Sequence, residues 1–110
     1  MSDELKSRRF NIQLEEAIRA VNLEVIGPML PEISVESVLP IAIMAAKMRG
    51  RYLREAFALR ESVEDDGFPS GEEIARLRDY RLAYEETQAV VRALEHAIER
   101  GYVPVKGAQG

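Results

Sequence analysis

His96 is the single histidine of a chain that has no cysteine, and these two facts bound its covalent and metal chemistry. A thiolate nucleophile, a thiolate metal ligand and a disulfide framework are all excluded. His96 follows Glu95 and lies one turn before Glu99. Di-metal helical bundles draw Glu-x-x-His from facing helices, but residue 93 is alanine and no second such motif exists. A lone histidine works as a general base only with an orienting partner and a substrate in reach. Near a helix C-terminus the helix dipole already accounts for it.

The remaining candidates for chemistry fare no better. Ser2, Ser7, Ser34, Ser37, Ser62 and Ser70 fall at expected caps, ends or loops, and none stands in a G-x-S-x-G setting. Glu64-Asp65-Asp66-Gly67 lacks the alternating carboxylates and distal glutamate of a calcium loop. Glu85 and Glu86 are adjacent and so point about 100° apart on a helix. Gly67 and Gly71 are not followed by the Lys-Ser or Lys-Thr of a phosphate loop. No catalytic residue, metal ligand or cofactor is expected.

The basic residues carry more information. Lys47, Arg51 and Arg54 fall within about 60° of one another on a helical projection, away from the apolar positions, and are expected to face solvent or an acidic partner. Arg49 and Arg60 project between apolar stripes, where a charge is costly unless paired. They are expected to snorkel or to bridge to carboxylates on a neighbouring helix.

These positions depend on three helical stretches separated by proline and glycine: about residues 10–26, 37–63 and 71–100, followed by a flexible tail over 102–110. In the first, Leu14, Ile18, Val21 and Val25 form one stripe, and Gly27-Pro28 ends it. In the second, Pro40 favours Ser37 over Ser34 as the N-cap. Ile41, Ala45, Met48, Tyr52, Ala56, Leu59 and Val63 form one stripe; Leu39, Ile43, Ala46, Leu53 and Phe57 form another, more than 100° away. Two stripes call for two neighbours. The third opens on Ser70-Gly71-Glu72-Glu73, a capping box. It carries Leu77, Tyr80, Tyr84, Thr87, Val91, Leu94 and Ile98 at heptad spacing and closes at Gly101.

Length and composition agree with one helical domain. The chain has 110 residues, 46% hydrophobic and 31% charged, with 15 basic against 19 acidic side chains, which argues against disorder. Residues 38–46, VLPIAIMAA, make the longest apolar run, about half of the ~20 residues that span a bilayer. No apolar segment of signal-peptide type follows the charged first ten residues. A cytoplasmic location, with no membrane partner, is expected.

The expected fold is therefore all-α: a three-helix chain built on a long antiparallel helical hairpin, completed as a bundle by self-association. The third helix would be ~45 Å long at 1.5 Å per residue, and one shorter helix covers little of such a hairpin. Val38, Leu39, Ile41, Ile43 and Met44 are the expected self-association residues, and a two-fold homodimer is the simplest closed form. Three functional classes remain. First is a non-catalytic protein-interaction module, such as an oligomeric adaptor, assembly chaperone or inhibitor, with Lys47, Arg51 and Arg54 facing a partner protein. The second, a nucleic-acid-binding regulator, is disfavoured by the net charge of −4. The third is a small enzyme or metal-binding bundle, which needs Glu15, Glu85 and His96 to converge inside.

Overall fold

The computed structural model describes residues 2–107. It is all-α: α1 spans Asp3–Ile26, α2 spans Val35–Ser62 and α3 spans Gly71–Glu99, with a 3-10 turn at Gly27–Met29 after α1. Contacts cluster in two compact units. One is the hairpin Val38–Ala93; the other joins the residues up to Ser37 to those from Leu94 onward.

The hairpin owes its loop and its second helix to local chemistry. The Glu73 N–H donates to Ser70 Oγ at 3.1 Å, and the Ser70 N–H donates to Glu73 Oε1 at 2.9 Å. This is the reciprocal capping box, satisfying two donors that a helix start leaves free. Ser62, the last residue of α2, donates its hydroxyl to Glu73 Oε2 at 3.2 Å, so the same carboxylate ties the end of α2 to the start of α3. Further along, Tyr52 stacks on Tyr84 with ring centroids 6.2 Å apart, and Arg49 Nη2 donates to Gln88 Oε1 at 3.2 Å. Earlier residues of α2 meet later residues of α3, which is the antiparallel hairpin.

The start of α2 differs from the sequence reading. Pro40 favours a cap at Ser37, yet the helix begins at Val35 with Pro40 inside it. Ser34 is the reason: its N–H donates to Ser37 Oγ at 2.9 Å, and the Ser37 N–H donates back to Ser34 Oγ at 3.2 Å. Two serines thus perform a capping box between them. The proline deprives the Glu36 carbonyl of its helical donor, at an exposed residue.

The other unit is closed by residues that periodicity does not single out. Ile33 and Val103 are its buried apolar residues, at 5% and 4% exposure. Ile33 forms an isolated parallel bridge with Val105, and the Lys106 N–H donates to the Ile33 carbonyl at 2.7 Å. Lys106 Nζ also lies 3.4 Å from Glu32 Oε2. Within the tail expected over 102–110 to be flexible, Val105 and Lys106 lie against the connector before α2; its last three positions fall outside the described residues. The turn into this segment is a Schellman motif. Gly101 takes φ 72°, its N–H donates to Ile98, and the Tyr102 N–H donates to Ala97.

Helix α1 begins at Asp3, with Ser2 Oγ accepting from the Leu5 N–H at 3.2 Å. Its stripe of Leu14, Ile18, Val21 and Val25 is exposed throughout. Amphipathic spacing says which side of a helix is apolar, not that something lies against it.

Candidate functional site

The candidate surface lies on α2. Its inward face carries Ile41, Ala45, Met48, Tyr52, Ala56 and Leu59, all buried or half-buried, and Val63 just past its end is half-buried too. On α3 the half-buried positions include Leu77, Tyr80, Tyr84, Thr87 and Val91; Tyr52 stacks on Tyr84, and Leu59 lines one cleft with Leu77 and Tyr80. Ala45, at 5% exposure, is the buried residue of the hairpin.

Cations line this inner seam. The Arg49 guanidinium carbon is 5.2 Å from the centroid of Tyr84, and that of Arg51 is 4.6 Å from the centroid of Tyr80. Both distances suit attraction between a cation and the negative face of an aromatic ring. Arg49 thus finds a ring and a neutral amide where a carboxylate is expected. Arg51 is half-buried, and its Nε is buried with no hydrogen-bond partner. It is turned inward, unlike Lys47 and Arg54, which are exposed. The expectation that Arg51 faces solvent is corrected: its side chain is long enough to fold back over Tyr80, a ring that helical azimuth alone does not reveal. Arg60, the other cation expected to be paired, reaches Asp65 in the loop at 3.4 Å.

The outward face is apolar and open. Leu39 is 52% exposed, Ile43 45%, Leu53 51% and Phe57 75%; Ala46 and Gly50 lie between them, also exposed. A Cβ built on Gly50 would meet nothing within 4 Å. The five residues expected to self-associate are divided by the helix itself. Leu39 and Ile43 lie on the outward face, Met44 is exposed on another side of the helix, and Val38 and Ile41 are half-buried. Five residues spread over seven positions cannot share one side of an α-helix.

No enclosed catalytic constellation accompanies this face. His96 is exposed and meets the edge of Tyr102, with ring centroids 6.0 Å apart. Glu15 and Glu85 are exposed, and Glu85 pairs with Arg81 at 3.2 Å. Among the described residues no three potential metal ligands are grouped. A cleft of about 180 Å³ lies between Leu59, Ser62, Glu73, Leu77 and Tyr80; wider, open clefts of about 500 and 570 Å³ are lined by Glu15, Arg19, Glu99 and Arg100, and by Tyr84, Glu85, Gln88 and Arg92. Glu73, at the edge of the first, has its carboxyl held below the usual range, first by the Ser70 N–H and then by the Ser70 hydroxyl. That is the signature of a cap, and the group serves structure. Among the described residues no helix is long and apolar enough to cross a membrane.

Compared with family models, curated proteins and solved structures, the chain matches none.

Proposed function

We propose that this chain is a non-catalytic helical interaction module, working through the outward face of α2. The observation that carries the reading is the row of four large apolar side chains, Leu39, Ile43, Leu53 and Phe57, left exposed along one helix. Contiguous exposed apolar surface of this kind marks a binding surface far more often than scattered single residues do. A helix face docking into a helical groove or seam uses this spacing. Lys47 and Arg54 border the row and would set salt sensitivity and association rate toward an acidic partner, as rim charges do. With Arg49 and Arg51 against tyrosine rings, Arg54 paired with Glu55 at 3.8 Å and Arg60 paired with Asp65, α2 offers few unengaged cations to a phosphate backbone, whose binding draws on many such contacts.

The test is chemical cross-linking in extracts of the source cell, comparing the wild type with a Leu53→Asp/Phe57→Asp variant that retains its helical circular dichroism. Adducts formed by the wild type and lost in the variant support the reading. Adducts of equal yield in both, or none from either, overturn it.

A further inference from the structure

The outward face of α2 has a second property that exposure alone does not convey. Leu39, Ile43, Ala46, Gly50, Leu53 and Phe57 follow one another at intervals of four, three, four, three and four, the spacing of a coiled-coil seam. Their sizes run large, large, small, small, large, large. Spacing and size are both symmetric about position 48. Turned end for end, the row superimposes on itself.

We propose that the occupant of this face is a second copy of the chain, packed antiparallel on α2 about a two-fold axis near position 48. Leu39 then faces Phe57, Ile43 faces Leu53, and Ala46 faces Gly50 of the other copy. Isologous interfaces demand such self-complementarity, and a partner of unrelated sequence has no need of it. The proposal rests on the interaction-module reading and names its partner.

Two further observations point the same way. First, Gly50 has open space where its side chain would be, so its cost to the helix has no explanation inside its own chain. Across a two-fold crossing, Ala46 and Gly50 let the two helices approach at the close end of the 8–10 Å range of interaxial distances. Second, direction follows from charge and dipole. Parallel copies would align their helix dipoles and set Arg54 level with its own copy, while antiparallel copies oppose the dipoles and separate the two Arg54 side chains by about 18 Å along the axis.

The absence of cysteine from the natural chain permits a clean test. Ile43→Cys and Leu53→Cys variants are purified separately, then oxidised alone and as an equimolar mixture. Antiparallel pairing predicts covalent dimers from the mixture and few from either variant alone, since position 43 lies ~15 Å along the axis from its own copy, beyond disulfide reach. Efficient cross-linking of Ile43→Cys with itself, or none in the mixture, overturns the proposal. A second variant guards against misfolding as the cause. Gly50→Leu removes a helix-weakening glycine, and its Cβ would meet no neighbouring atom within 4 Å. It should leave the helical signal intact while weakening the dimer, measured by sedimentation, about ten-fold or more. An unchanged dimer in Gly50→Leu, alongside dissociation by Val21→Asp on the exposed α1 stripe, would place the interface on α1 and overturn the proposal. A wild type that is monomeric at 100 μM, yet forms adducts with other proteins in the extract experiment, would sink the two-fold pairing alone and leave the interaction module standing.

Discussion

The guanidinium carbon of Arg51 lies 4.6 Å from the centre of the Tyr80 ring, joining α2 to α3 by an interaction that needs both partners. Arg51→Ala combined with Tyr80→Leu in a double-mutant cycle should give a coupling of about 0.5–2 kcal/mol by urea unfolding. Arg51→Lys should keep part of it, because the charge remains while the stacked plane is lost. A coupling indistinguishable from zero would show that the ring and the cation are merely adjacent.

Ser70 caps α3. Replacing it with alanine should cost about 1 kcal/mol, seen as a lower urea midpoint with an unchanged slope. A change in slope would indicate that the denatured state, not the cap, had been altered.

Glu73 gives that cap a pH dependence. Its carboxyl titrates below the ordinary value because the Ser70 N–H and hydroxyl favour the charged form. A depressed folded value stabilises the protein above the unfolded pKa of about 4.3, and the contribution is lost as pH falls through the folded value. Glu73→Gln, which keeps a capping side chain without a titrating group, should therefore have a lower melting temperature than wild type at pH 7. The two should converge as the pH falls below 4. Parallel curves across that window would remove Glu73 from the acid response.

Gly101 takes φ 72°, and a Cβ there would come 3.2 Å from Cδ of Arg19. Gly101→Ala should destabilise by about 1–2 kcal/mol, the cost of a left-handed L-residue, with a further loss if Arg19 cannot move aside. Calorimetry on Gly101→Ala and Gly101→Asn checks this, with asparagine the milder change because it tolerates that conformation better.

Ile33 is 5% exposed and bridges Val105. Ile33→Ala should cost about 2–5 kcal/mol. Leu5→Ala, on an exposed position of α1, should fall within about 0.5 kcal/mol of wild type. Equal costs would mean that the core of this unit lies elsewhere.

The sequence is most informative where structure is local. The Ser70–Glu73 box and Gly101 are read from residues three or four apart, and the structure places their hydrogen bonds accordingly. The two stripes of α2 are likewise written in its periodicity. What periodicity lacks is the neighbour. It cannot say that the stripe through Tyr52 meets α3 while the stripe through Phe57 stays open, nor that Arg51 finds the face of Tyr80. The Ser34–Ser37 exchange outweighs the proline because two short hydroxyls satisfy helix-start donors that Pro40 does nothing to supply. Docking of Val103 and Val105 leaves no periodic trace at all, because an isolated bridge between distant residues has no repeat.

That bridge also fixes an order of events. Val105 is synthesised after both helices of the hairpin, yet it closes a unit whose other bridging residue, Ile33, precedes them. The contacts of the hairpin span a short loop and can form as soon as α3 is made, at little loop-closure cost. Ile33 must wait unpaired on the nascent chain through the translation of α2 and α3. Until then its apolar side chain lacks the neighbour that it bridges in the folded chain.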